Sequence, residues 1–317
     1  MLPIIFLFLN LSPREDSLLI RAVELSYQEE FAHSESLFKV IINENPYHPA
    51  PYFGLASLYE LMWVDLGNDS LVGKFLSYSD SSILLATAWT RRYPDDAWGY
   101  FFLGGAYTLR IFYHEIKGEI LRSLPFVGPA IKWLSKCQEK DPNISDVYLG
   151  LGMWEYIKGH FPFFNSRKEK GLMMIKRASE RGKYVSLYAI LAHAEILIRE
   201  RDFDEAILII TPIADSFTES RTLNWPLLKA YYGKKDYDNA LVAANRLIDV
   251  SQDNKFSYFE ATYYKTKILV AMKRLKGAKE NAESALEIDV DINAPNVKIM
   301  EKELKRILKE INQKMGK

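Results

Sequence analysis

Residues 93–110 read YPDDAWGYFFLGGAYTLR, and the same grammar stands 48 positions earlier in NPYHPAPYFGLASLYELM (45–62) and 48 later in DPNISDVYLGLGMWEYIK (141–158). Pro46, Pro94 and Pro142 align, as do Tyr52, Tyr100 and Tyr148, then Leu55, Leu103 and Leu151, then Ala56, Gly104 and Gly152. Spacings of three and four put the tyrosine, the leucine and the small residue on one side of a helix, and the small residue lets a second helix come close. Each stretch is therefore expected to be the first helix of a helix–turn–helix unit.

The second helices end at the same prolines. Ser34, Phe38 and Ile41 precede Pro46, Ser82, Ala86 and Trp89 precede Pro94, and Ala130, Leu134 and Cys137 precede Pro142. A proline there removes a backbone donor and stops the helix. Further on, Gly171, Ala206, Ala240 and Ala278 recur at intervals of 35, 34 and 38, each followed by small or apolar residues four and seven positions on. RDFDEAILII and KKDYDNALVAANRLI carry the matching turn, an Asp before an aromatic residue and then Ala.

Tyr52-x2-Leu55-Ala56-x2-Tyr59 and Tyr100-x2-Leu103-Gly104-x2-Tyr107 match the W-x2-L-G-x2-Y signature of tetratricopeptide repeats. The chain resembles that superfamily from about residue 15 to residue 290, most strongly over 200–290. It also resembles a group of bacterial repeat proteins, many of them exported, with long first repeats. The resemblance implies an all-α, right-handed α-solenoid of about seven units: 15–48, 49–96, 97–142, 143–183, 184–219, 220–255 and 256–291. Residues 15–183 hold the long-period repeats and 184–292 the shorter ones.

The 48-residue period exceeds the family's 34 by about four helical turns. The excess falls within 61–80 and 110–128, so both helices of those units are read as lengthened, joined near Gly67 and Asn68 or between Pro125 and Gly128. Residues 158–171, KGHFPFFNSRKEKG, read as an aromatic loop. Pro226 sits where a first helix should already be under way, so that helix is expected to start near Asn224 or to be kinked. The last segment, 293–317, holds a capping helix with Ile299, Leu304, Leu308 and Ile311 on one side.

Composition removes several function classes. A chain of 317 residues that is 48% hydrophobic can bury a large core. Its 41 basic and 41 acidic residues cancel without a single-sign block, which removes the footprint of a nucleic-acid binder. One cysteine, Cys137, allows neither an intramolecular disulfide nor a multi-cysteine metal site, and it reads as buried filler. The run over residues 2–11, inside the N-terminal segment 1–14, is too short to span a bilayer and has the length of a signal-peptide core. It points to export to a bacterial periplasm or envelope, with an apolar cap on the first helix as the other reading.

No motif carries catalysis. HEIKGE holds His114, Glu115 and Glu119, but Gly118 stands where a second metal-binding histidine would be needed. His193 falls on a core position. No cofactor and no metal are expected, and the glycines of LGGAY and LGLGMW lie inside helices, where they serve close approach rather than phosphate binding.

What remains is surface. In the family the first helices line a concave groove, and matching positions place Trp98, Phe101 and Thr108, then Tyr188, Leu191 and Glu195, then Trp225, Lys229 and Tyr232, then Tyr263 and Lys267 there. The resemblance implies a non-catalytic scaffold that binds a peptide or protein in this groove. The two-lysine-plus-asparagine clamp of chaperone-binding members is missing. A pocket for a small apolar molecule among the long helices of residues 49–170 is the alternative, and an enzyme the remote one.

Overall fold

The computed structural model describes residues 11–162, 166–291, 294 and 296–315, and among these the chain is helix and turn without a strand. The helices are α1 Pro13–Tyr27, α2 Phe31–Glu44, α3 Pro49–Leu66, α4 Val72–Arg92, α5 Ala97–Ile116, α6 Ile120–Lys140, α7 Val147–Lys158, α8 Ser166–Arg181, α9 Ser186–Arg199, α10 Phe203–Ser216, α11 Arg221–Lys234, α12 Tyr237–Val250, α13 Lys255–Ala271, α14 Leu275–Glu287 and α15 Val297–Met315. They form seven successive helix–turn–helix pairs and a last helix, as the repeat grammar requires. The apolar residues 1–10, and residues 163–165 of the aromatic segment, lie outside the described residues. The chain divides into two compact units, Met1–Leu61 with Leu71–His193, and Met62–Ser70 with Ala194–Lys317.

The repeated proline and tyrosine act together. Each proline is the second residue of a β-turn closed from His48 N–H to the Asn45 carbonyl, Asp96 to Tyr93, and Ile144 to Asp141. Proline's fixed φ suits that position and its missing donor costs nothing there. Six residues on, the Tyr52 hydroxyl donates to the Pro46 carbonyl at 2.9 Å and Tyr100 to Pro94 at 3.1 Å. The third copy varies, with Arg177 donating to the Pro142 carbonyl and Gln138 to the Tyr148 hydroxyl. The turn between one pair and the next is thus tied to the helix it launches.

Turns within pairs follow a second rule. Glu29, Gly118, Arg201, Lys235 and Lys273 all have φ between +56 and +71. Each is followed by a residue whose N–H reaches back five positions, as Asp236 does to the Tyr231 carbonyl and Arg274 to Leu269, satisfying carbonyls that a helix end would strand. The next helix starts at once, on Phe31, Ile120, Phe203, Tyr237 or Leu275. Gly118 closes α5 in this way, so the third pair turns at Lys117 to Glu119 and not between Pro125 and Gly128. Both Pro125 and Pro129 lie inside α6. The second pair does turn at Gly67, which has φ +59.

Burial follows the spacing read from the sequence. Leu55, Ala56, Leu103, Phe38, Ile41, Ala86 and Cys137 are at most 1% exposed. Gly171 marks a close helix crossing, because a Cβ there would lie 2.4 Å from the Tyr156 backbone nitrogen and 2.6 Å from the Gly152 carbonyl oxygen. Two expectations change. α11 begins at Arg221, three residues before Asn224, because the Ser220 hydroxyl caps the Leu223 N–H, and Pro226 is carried inside the helix. On α15 the buried side is Val297, Met300, Leu304, Ile307 and Ile311; Ile299 is 65% exposed because it lies about 100° around the helix from Met300.

The second unit has a polar centre. Arg221 grips Asp65 with two bonds of 2.9 and 3.0 Å, and Asn254 donates to the same carboxylate and to the Asp65 carbonyl. Both charged side chains are buried, at 7% and 3% exposure. Asp65→Ala should destabilise the second unit by about 3 kcal/mol, since it removes two bonds from a buried guanidinium that keeps the Val250 carbonyl and Asp253, whereas Asp65→Leu with Arg221→Met should cost less than the single change. Urea unfolding of the two variants checks this, and a double variant weaker than the single would refute it.

Lys235→Gly should raise the urea midpoint, by about 1 kcal/mol in stability, because glycine takes the left-handed conformation without the Cβ penalty. An unchanged or lowered midpoint would mean that the lysine stem offsets the strain.

Candidate functional site

In the first unit the inner face is filled. The Asp16 carboxylate of α1 accepts from the Tyr184 hydroxyl, ahead of α9, and pairs with Lys183 at 2.7 Å. Lys183 in turn lies 5.7 Å over the Trp98 ring, and Trp98 meets Tyr184 edge-on at 4.9 Å. Buried Asp146 accepts from the N–H groups of Lys183, Tyr184 and Val185, pinning that turn against the start of α7. Phe101 is 2% exposed and packs on Phe53, and Tyr188 packs on Phe112 at 5.7 Å. Thr108 spends its hydroxyl on the Gly104 carbonyl, and Leu191 is half-buried. Phe101 is therefore interior, and the contact of α1 with the start of the fifth pair closes over part of the expected groove, leaving Trp98, Thr108, Tyr188 and Leu191 half-buried.

What the closure leaves is a cavity of about 70 Å³, bordered by Phe53, Phe101, Phe102, Phe112, Tyr27 and Tyr188 among others. That is about half the volume of a cavity that takes up benzene, roughly 150 Å³, and far below the ~300–1,000 Å³ of small-molecule pockets. Beside it lies Glu60, 4% exposed, with Oε1 lacking any hydrogen-bond partner. Burial lifts its carboxyl from an ordinary 4.5 to about 8. Tyr27 and Tyr188 are pushed well above the usual tyrosine value, by burial first and by the nearby Glu60 second.

In the second unit the corresponding positions, Tyr263 apart, are also half-buried, and they converge. Lys229 of α11 donates to Glu195 of α9 at 2.8 Å and faces Glu260 of α13. Burial pulls the Lys229 ammonium down, and the Glu195 carboxylate more than restores it, with Glu260 assisting. Glu260 is raised by its own burial, pulled back by Lys229 and raised again by Glu195. The Trp225 and Tyr264 rings stand 5.8 Å apart beside this row.

Next to it, the Lys267 ammonium lies 5.0 to 5.8 Å from the ring centres of Tyr263, Tyr232 and Tyr264, and 3.7 Å from Glu303 of α15. Tyr263 is 6% exposed and donates to Glu303, so it holds the last helix rather than facing a partner.

Of the residues matched to the groove, the structure thus brings together Glu195, Trp225, Lys229, Tyr232 and Lys267, while Trp98, Phe101, Tyr188 and Leu191 belong to the first unit. Glu260, Tyr264 and Glu303 were missed. The first two had a signal, because 225, 229 and 232 shifted by 35 give 260, 264 and 267, whereas matching by the buried signature selected Tyr263, one residue away from Tyr264.

Other candidates resolve as structure. The His114 ring bonds Glu119 at 3.0 Å and stacks on Phe126, and His193 is buried. Among the described residues no three His, Cys, Asp or Glu side chains converge to hold a metal ion, and no helix is long and apolar enough to cross a membrane. Cys137 is fully buried, which pushes its thiol up to about 12.

Glu60 gives a testable pH dependence. Its unfolded carboxyl ionises near 4.5 while the folded one holds its proton to about 8, so stability falls as pH rises across that window. The loss should reach about 4 kcal/mol. Glu60→Gln should remove most of this slope and be the more stable protein at pH 8, and parallel stability curves for the two proteins would overturn the assignment.

No family model matches the sequence, and no curated protein matches it. Solved structures do resemble it. A tetratricopeptide repeat protein from Parabacteroides merdae is 13% identical over 95% of this chain and 99% of its own, with a TM-score of 0.40. Yeast Tom70 is 17% identical over 96% of this chain and 66% of its own, at 0.44, and the human IFIT1 dimer with PPP-AAAA is 13% identical over 94% and 76%, at 0.49. The likeness concerns the fold, which resembles that of tetratricopeptide repeat proteins.

Proposed function

We propose that this protein is a non-catalytic scaffold that takes a segment of a protein partner on the inner face of its second unit, over Glu195, Trp225, Lys229, Tyr232, Glu260, Tyr264 and Lys267. The observation that carries this reading is the convergence of half-exposed rings and charges from first helices of successive pairs onto one surface. Aromatic rings supply contact area at low entropic cost, and charges fix register, which suits a chain segment better than a small molecule. In the first unit the equivalents are engaged with one another around Asp16 and Tyr184, and the apolar cavity among their rings, about 70 Å³, is too small for the ligand that a carrier would hold. Export of the chain remains a proposal that rests on the apolar run at residues 2–11.

A photo-crosslinking amino acid in place of Tyr232 should give a defined adduct with a protein in cells of the source organism. The same group in place of Val242, which is 67% exposed on the second helix of its pair, should give none. Equal adducts at both positions, or none at 232, would count against the inner face as the binding surface.

A further inference from the structure

The charges of the second unit's inner face do not balance. Glu303 has two cations beside it, Lys267 and Arg306, whereas Glu195 and Glu260 face one, Lys229. Lys267 is well served, with three tyrosine rings around it and Glu303 behind. Lys229 is shared between Glu195 on one side and Glu260 on the other, and only Glu195 takes a hydrogen bond from it. Beside the Lys229 row stands one further ring, Trp225, 5.8 Å from the Tyr264 ring that also borders Lys267. The molecule thus holds one complete nest for a cation, rings plus a carboxylate, and beside it a second that shares Tyr264, adds Trp225 and sets two carboxylates against one lysine.

We infer that the partner segment presents a cationic side chain, arginine or lysine, to this second nest, its head against the Glu260 carboxylate, which Lys229 does not hydrogen-bond, and over the Trp225 and Tyr264 rings. This rests on the reading of the second unit as a peptide-binding face. A ring face attracts a cation through its quadrupole, and a carboxylate beside it adds a charge-assisted hydrogen bond. Arginine fits best, because its planar fork can pair with a carboxylate while stacking on an indole. An acidic side chain would instead meet two carboxylates already competing for one lysine, a like-charge arrangement that specificity uses to reject partners.

Selection of random heptapeptides displayed on phage against the full chain tests this, because it presents both charge signs without prejudice. The expected result is enrichment of arginine and lysine. Binding of an enriched synthetic peptide should weaken about tenfold in the Glu195→Gln, Glu260→Gln variant and stay unchanged in the equal-charge control Glu219→Gln, Glu287→Gln. Circular dichroism confirms that both variants fold. Enrichment of aspartate and glutamate, or equal losses in the two variants, would overturn the cationic partner and leave the peptide-binding face standing. Failure to enrich any sequence would remove both.

Discussion

Two helices can approach closely only where the side chain between them is small, and Ser34, Ser82, Ala130, Gly171, Ala206, Ala240 and Ala278 stand buried at that place in their pairs. At Gly171 there is no room for even a methyl group, since a Cβ would fall 2.4 Å from a backbone nitrogen that cannot move without breaking its own helix. In the later pairs alanine takes the role, and Ala206, Ala240 and Ala278 are completely buried. The contact sets how far apart paired helices stand, and that distance decides which residues of each first helix point inward. The tyrosines and leucines of the repeat fill what the small residues leave, so the aromatic grammar is a consequence of the close crossing and not an independent signal of binding.

From that constraint the two units develop differently. In the first, Asp16 reaches Tyr184 and Lys183, and the rings gathered on the inner face become a core around a small cavity. In the second, α15 takes Tyr263 and Glu303 out of play, and the row over α9, α11 and α13 remains half-exposed. The same positions of the same repeat thus gather rings around a cavity in one place and line up rings with paired charges in another.

The fold was legible because its determinants are local: a proline at the second position of a β-turn, a tyrosine six residues later, a small residue where helices cross. The positive-φ turns were not, since Arg201, Lys235 and Lys273 are residues that do not advertise a left-handed conformation. Pro125 misled because proline marks a turn only where no stronger stop precedes it, and Gly118 is that stop. The site was half legible. Matching positions found Lys229 and Tyr232 but could not reveal that Phe101 is sealed inside, because closure depends on Asp16 meeting Tyr184 across 168 positions of sequence. Glu60 carried no signal, as a glutamate inside a helix is ordinarily solvated.

Cys137 lends the molecule a clock. It is the single thiol in the chain, sits without exposure on α6 and holds its proton far above neutral pH. A thiol reagent therefore meets it only when the α5 and α6 pair opens, and the rate of modification counts those openings without any added probe. The second unit has no cysteine, so the count belongs to the first unit alone, and the motions of one half can be timed while the other is folded, bound or altered.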